Sequence, residues 1–183
     1  SGIYLKRFRY FIKPWERLAY QGGILSKLKH HPWLCGLLPF FFLGELLALI
    51  RLLRIYKFHL VHAHWLIPQG LTALLARMLI KSAPPLLCTS HGGDLFAFQG
   101  YINKMVKRLI VTNSTAVTVV SNAMRKEVIK LNAGHEKVYV TPMGVDLQNL
   151  FIPPETRKNS ESLLFVGRLV KKKGLQYLID ATE

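Results

Sequence analysis

The chain has 183 residues, of which 50% are hydrophobic and 19% charged, a composition typical of globular proteins rather than disordered or fibrous ones. The net charge is +15, and residues 1–58 alone hold ten Lys and Arg against two Glu. A basic front half of this kind favours an anionic partner, such as membrane lipid, nucleic acid or a phosphorylated substrate. The two cysteines lack a metal-binding spacing, which fits a reduced, cytoplasmic protein.

The first long apolar segment lies at 33–56. Pro39 interrupts it, and Glu45 and two arginines follow, whereas a membrane span needs about 20 apolar residues with few charges. We therefore expect a buried or interfacial helix, with residues 1–58 attached peripherally to an anionic membrane surface. The apolar run starts too late for a convincing signal peptide.

Apolar strands then alternate with amphipathic helices. The predicted strands are 59–64, 86–90, 116–120 and 137–141, and the predicted helices are 71–80, 101–112 and 122–132. Ser121 is placed to cap the last of these helices, and Gly134 stands where its C-terminal cap belongs. This alternation predicts an α/β fold with a Rossmann-like, doubly wound parallel sheet.

A polar, proline-bearing stretch at 151–161 divides the chain like a linker. Residues 1–150 are predicted to form the Rossmann-like domain, and residues 162–183 to begin a second domain with a strand, a basic loop and a helix. Only nine residues follow Gly174, and one βα unit cannot bury its strand by itself. We therefore expect a fragment of a longer, two-domain protein.

Polar motifs follow the predicted strands at their carboxyl ends, where open α/β sheets bind ligands. His62 and His64 alternate along the first strand, so they share one face. Glycine-bearing turns follow the second and fourth strands, and glycine lets the backbone approach a ligand closely. The predicted binding residues of these turns are His91, Gly92, Gly93 and Asp94, then Gly144 and Asp146.

These histidines have other interpretations. A strand histidine is often a hydrogen-bonded core residue, which applies to His62. Together, His62, His64 and His91 also have the chemistry of zinc ligands, so a zinc-dependent hydrolase is one alternative function. The charge of +15 leaves a basic nucleic-acid-binding α/β module as another, although no recognisable nucleic-acid motif occurs in the sequence.

A basic loop joins the last predicted strand to the last helix. Gly167 and Arg168 follow the strand, and three lysines, Lys171–Lys173, precede the helix. A basic loop that leads into a helix N-terminus is suited to phosphate, since backbone N–H groups and cations both favour it. A solvated basic run is the alternative interpretation.

The motifs occur in a fixed order along the chain: His62-Ala63-His64-Trp65, Pro68-Gln69-Gly70, Thr89-Ser90-His91-Gly92-Gly93-Asp94, Val120-Ser121, Pro142-Met143-Gly144-Val145-Asp146, and Gly167-Arg168-Leu169 with Lys173-Gly174. Each motif is weak alone, but the ordered set resembles retaining family-4 glycosyltransferases of the GT-B fold. The resemblance runs from about residue 6 to the end of the chain.

The resemblance implies two Rossmann-like domains that face a cleft, the first binding the acceptor and the second a nucleotide-sugar donor. It implies that His91 contacts the transferred sugar and that Arg168 and Lys173 neutralise the donor diphosphate as it leaves. The implied reaction is hexosyl transfer to a glycan or lipid-linked acceptor, as in polysaccharide biosynthesis. It is expected to need no metal, and no Asp-x-Asp pair occurs here.

Two parts of the family pattern have no counterpart in the sequence. The opening strand with its glycine-rich loop is missing, and so is the downstream Glu-x7-Glu segment. The fragment itself is therefore expected to be inactive, and the whole enzyme to be cytoplasmic and peripheral at the inner face of the membrane.

Overall fold

The computed structural model describes residues 2–19, 24–97, 99–152, 163–167 and 169–182. They divide into two compact units, Ser1–Met143 and Gly144–Glu183. The sequence predicts that the first domain ends at residue 150, and the predicted domain limits stay a prediction.

The first unit is built on a four-stranded parallel sheet. Its strands are β1 (Val61–His64), β2 (Leu86–Ser90), β3 (Ala116–Val119) and β4 (Val138–Val140), and each pairs with the next along the chain. Parallel pairing requires a crossover between successive strands, and helices supply it here. The predicted α/β class and parallel sheet are confirmed.

Helices flank the sheet and precede it. They are α1 (Ile24–His30), α2 (Leu38–Ile55), α3 (Leu71–Leu79), α4 (Gly93–Phe96), α5 (Tyr101–Asn113), α6 (Asn122–Ile129) and, in the second unit, α7 (Leu175–Asp180). A 3-10 segment, Pro32–Leu37, leads directly into α2. The three predicted helices, α3, α5 and α6, begin at their predicted first residues, because the apolar spacing that predicts them is also what packs them on the sheet. The short helix α4 was not predicted.

The two ends of α6 test the capping predictions. Ser121 caps the N-terminus, since its hydroxyl accepts a hydrogen bond of 3.3 Å from the backbone N–H of Met124. The C-terminal prediction is wrong: Gly134 has a φ of −58°, and the left-handed residue is Asn132, with a φ of 70°. Asparagine tolerates the left-handed region better than most residues, and the helix ends earlier than expected.

The core of the first unit lies on one side of the sheet. The strand register aligns Ala63, Cys88, Val117 and Val138 across all four strands, and all four side chains are buried. Buried side chains of α3, α5 and α6 pack against them. Because the pleat alternates, the residues between them point to the opposite side of the sheet.

The segment before α1 packs on α2 and forms a second, smaller core. The carboxylate of Glu16 accepts hydrogen bonds from the backbone N–H groups of Tyr10 and Phe11, at 2.9 and 3.4 Å. A Cβ added to Gly44 of α2 would lie 2.9 Å from the carbonyl oxygen of Arg9, so this contact requires glycine. The buried residues of this core are Tyr10, Leu18, Leu34, Leu37 and Phe41.

Helix α2 is long and apolar. By length and composition the helical stretch Pro32–Ile55 could cross a membrane. Its apolar 18-residue window has a mean hydropathy of 2.1, and 17% of that window is buried in the protein. It packs along α3, where the Thr72 hydroxyl donates to the Glu45 carboxylate at 3.0 Å. Burial raises the pKa of Glu45, and the hydrogen bond from Thr72 opposes this. The only carboxylate of α2 therefore lies at its contact with α3.

The second unit contains the 3-10 turn Lys171–Lys173 and α7, joined by Gly174 with a φ of 71°. The predicted helix is confirmed here. The predicted strand is absent among the described residues, since 163–166 have no ladder partner and a strand needs a neighbour. Arg168 and most of the predicted linker, 153–161, lie outside the described residues.

Two leucines of the first unit provide a matched test of the core. Leu86 is 1% exposed in the centre of the sheet, whereas Leu79 is 62% exposed at the end of α3. Leu86→Ala should lower the free energy of unfolding by about 2–5 kcal/mol, through lost burial and a residual cavity. Leu79→Ala should change it by no more than about 0.5 kcal/mol. Denaturant titration measures both, and equal losses would contradict this packing.

Candidate functional site

The side of the sheet opposite the core carries a row of polar side chains. His64, Thr89 and Thr118 occupy one cross-strand row. His62 lies on the same face of the sheet, two residues before His64 in β1. The Nε2 atom of His62 is hydrogen-bonded to the Thr89 hydroxyl at 2.7 Å, and the two threonine hydroxyls share a bond of 2.5 Å. These contacts fix the His62 ring in place.

His64 and His91 meet where β1 and β2 end. The Nδ1 atom of His64 lies 2.9 Å from the Nε2 atom of His91, and the two rings stack at an interplanar angle of 18°. One of these nitrogens must donate and the other accept, so the two rings can share the bond only while at most one of them is doubly protonated. Each histidine thus constrains the protonation of the other.

His62 is the third ring of this stack. Its centroid lies 4.2 Å from that of His64. Partial desolvation lowers the pKa of His62, and the electrostatic interaction with its neighbours His64 and His91 lowers it further. The neutral form of His62 is therefore favoured, which agrees with its hydrogen bond to a threonine hydroxyl. His62 is hydrogen-bonded, as one interpretation of the sequence expected, but it is exposed and is therefore not a core residue.

A buried carboxylate positions the loops that carry these rings. Asp94 has no exposed surface. One oxygen accepts a hydrogen bond of 2.7 Å from the backbone N–H of Leu66, after β1, while the other accepts from the Ser90 hydroxyl at 3.0 Å and the His91 N–H at 3.2 Å. The carboxylate therefore acts on the site through the backbone, because its own oxygens are engaged by the protein.

Lys107 of α5 lies near this carboxylate and is only 4% exposed. Its ammonium group donates to the carbonyl oxygen of Leu95 at 2.8 Å. Burial lowers the pKa of Lys107, and the charge of Asp94 acts in the opposite direction. The cation compensates part of the cost of burying the carboxylate.

The turn after β2 depends on Gly92. Gly92 has a φ of 93°, which side chains with a Cβ rarely adopt. A Cβ on Gly93 would lie 3.5 Å from the ring of Trp65. Trp65, which follows β1, itself has a φ of 81°. The two loops after β1 and β2 are thus closely packed beside His91.

Several predicted site residues lie in the second unit. Asp146 is exposed, and it accepts hydrogen bonds from the backbone N–H groups of Asn149 and Gln148 at 2.9 and 3.1 Å. These bonds, first that of Asn149, lower the pKa of Asp146. Gly144, Gly167 and Lys173 lie in the same unit. Their roles toward a ligand, like that of Arg168, stay predictions.

The sequence located the histidines but assigned no role to several of their neighbours, although Thr89, Ser90 and Trp65 stand in the quoted motifs. Ser90, Thr89 and Thr118 complete the polar contacts of the site, and Trp65 packs on Gly93. The strand alternation that placed His62 and His64 on one face would also have indicated Thr89 and Thr118, had the strand register been known. Nothing in the sequence indicates that Asp94 points inward.

A groove of about 1440 Å³ runs along the free edge of β1, within the first unit. Apolar side chains of α2 form much of its wall, and His62, His64 and Trp65 line its end. His62 and His64 are therefore accessible from the groove, whereas His91 is not among its lining residues.

Two comparisons relate the chain to known proteins. The sequence model of "Glycosyltransferase Family 4" matches residues 12–149. The "Putative teichuronic acid biosynthesis glycosyltransferase TuaC" of Bacillus subtilis (strain 168) is 29% identical over 137 residues, covering 68% of this chain and 34% of that protein. The chain thus spans about a third of the length of this relative.

The histidine stack gives a prediction on pH. Because the pKa of His62 is lowered in the folded state, the unfolded chain takes up a proton first as the pH falls through 6.5. The contribution of His62 to the free energy of unfolding is complete above pH 6.5, and it is lost as the pH falls from 6.5 to the lowered pKa of the folded state. His62→Asn should therefore flatten the fall in the free energy of unfolding on acidification. Thr118→Val, which alters the same face without removing a titrating group, should shift the curve without changing its slope.

Proposed function

The chain belongs to glycosyltransferase family 4, and we propose that it forms the acceptor-side part of an enzyme that moves a hexosyl group from a nucleotide sugar to a glycan or lipid-linked acceptor, with retention. The observation that carries this proposal is the placement of His91 at the carboxyl end of β2, where parallel sheets bind ligands, in contact with His64. The similarity to a protein named for teichuronic acid biosynthesis supports a role in biosynthetic glycosyl transfer.

His91 is proposed to contact the transferred sugar. Its Nε2 atom faces His64, so Nδ1 is the ring atom left to meet a hydroxyl group of a ligand. Because the two histidines share one hydrogen bond, His64 sets which nitrogen of His91 carries a proton. Gly92 and Gly93 allow the backbone beside His91 to approach the sugar closely, and Asp94 holds that backbone in place.

The donor is proposed to bind the second domain of the complete enzyme. Arg168 and Lys173 would neutralise its diphosphate, with Gly167, Gly144 and Asp146 lining the same site. The turn Lys171–Lys173 and the left-handed Gly174 that starts α7 support a compact basic loop there. Turnover is proposed to need that whole domain, so the 183-residue chain by itself would be inactive.

The geometry favours transferase chemistry over the zinc-hydrolase alternative. In the part of the chain that the structure describes, no group of three or more His, Cys, Asp or Glu side chains is placed to hold a metal ion. The nitrogens of His64 and His91 point at each other, whereas zinc ligands must converge on one point at about 2.0–2.1 Å from it.

We predict that the purified chain binds no stoichiometric metal. Elemental analysis after dialysis against zinc measures this directly, with His62→Ala as the matched variant. One zinc ion per chain that disappears in His62→Ala would favour the hydrolase and contradict the proposed role of the histidine pair.

In the full-length enzyme, Arg168→Ala should lower turnover by roughly 100-fold or more, because a preorganised cation contributes most as the leaving group gains charge. Lys173→Ala should have a comparable effect. Lys171→Ala, in the same basic run but outside the family motif, is the control and should cost far less. Equal and small losses at all three positions would show that the run is only a solvated surface.

A further inference from the structure

Three neighbouring helices of the first unit form one layer, since α2 packs along α3 and α3 packs along α5. The inner side of α3 and α5 contacts the sheet core. On α2, the exposed side chains Phe40, Leu43 and Leu47 are spaced three and four residues apart, so they form a stripe along the helix.

The next two helices continue the apolar surface. Met78 of α3 is 72% exposed and Ile102 of α5 is 75% exposed. Single exposed apolar residues are normal, but apolar stripes on adjacent helices form a patch of the kind that marks an interaction site. We call this patch the outer apolar face. It comprises Phe40, Leu43 and Leu47 of α2, Leu75, Met78 and Leu79 of α3, and Ile102, Met105 and Leu109 of α5.

Cations accompany this face without acidic partners. Helices α3 and α5 contain no Asp or Glu, and the only carboxylate of α2, Glu45, is bonded to Thr72 between α2 and α3. The face is therefore apolar, cationic and free of acidic groups. Its exposed cations are Arg51, Arg54, Lys81, Lys104 and Arg108.

We propose that the outer apolar face docks on an anionic lipid membrane, with its apolar side chains in the interface and its cations at the headgroups. Amphipathic helices bind membranes by this combination of apolar burial and attraction to anionic lipid. The contact extends the membrane attachment proposed for residues 1–58 to α3 and α5. It does not depend on the transferase activity.

Charge and apolarity together distinguish an anionic membrane from other partners that could cover the outer apolar face. A second copy of the chain, bound symmetrically through the same face, would set cations against cations with no acid to pair them. Nucleic acid would match the cations but would leave Leu43, Met78 and Met105 without an apolar environment. An anionic lipid surface satisfies both the apolar and the cationic parts of the face.

Vesicle flotation tests the proposal on the 183-residue chain. The vesicles contain phosphatidylcholine with or without phosphatidylglycerol. On the anionic vesicles, Lys104→Glu with Arg108→Glu should lower the partition coefficient by roughly tenfold or more, since each cation near such a surface contributes severalfold. Ile102→Ser with Met105→Ser should lower binding even at high salt, where charge is screened. The two double variants are independent, so that if one of them misfolds the other still tests the proposal.

The matched control is Lys126→Glu with Lys130→Glu, on α6 and at its C-terminal cap, which makes the same change of charge outside α2, α3 and α5 and also removes the surface ion pair of Lys130 with Glu127. It should change binding less than about twofold, since its cations are away from the proposed contact. Wild-type binding by both α5 variants would overturn the proposal. So would a wild-type dimer in sedimentation velocity that the α5 variants dissociate, or tighter binding to duplex DNA than to anionic vesicles.

Discussion

One buried carboxylate ties together the two loops on which the candidate site depends. Asp94 accepts hydrogen bonds from the backbone after β1 and from the backbone and hydroxyl at the end of β2. An ionised carboxylate is costly to bury unless its oxygens are satisfied, so these bonds resist rearrangement of either loop. His64 and His91 can share a hydrogen bond because the strand ends are held at this separation.

The two sides of the helical layer in the first unit make different contacts. Its inner side buries the apolar face of the sheet, which leaves the opposite face of the sheet to the polar row of His62, Thr89 and Thr118. Its outer side carries the outer apolar face and its cations. In a family whose members transfer sugars, the proposed membrane contact would hold the domain near an acceptor of the proposed lipid-linked kind, while the strand ends provide the histidines.

Local patterns in the sequence predicted most of the first unit. Apolar spacing located the strands and helices, and alternation placed His62 and His64 on one face. Local patterns could not predict features that depend on strand register or on contacts between distant segments. Examples are the hydrogen bond between His64 and His91 and the inward position of Asp94. The errors have local causes: Asn132 took the left-handed position expected of Gly134, and residues 163–166 lack the neighbour that a strand requires.

The central claim is that Asp94 positions His91 against His64, so that the two rings share one hydrogen bond, with one nitrogen as donor and the other as acceptor. Nitrogen-15 NMR of the histidine imidazoles tests it most directly, because the chemical shift distinguishes protonated from bare ring nitrogens. The wild-type chain should show one protonated and one bare nitrogen for the pair Nδ1 of His64 and Nε2 of His91. In Asp94→Ala this pairing should be lost, and both nitrogens should show the averaged shift of a tautomer mixture. Averaged shifts in the wild type, or an unchanged pair in Asp94→Ala, would contradict the account.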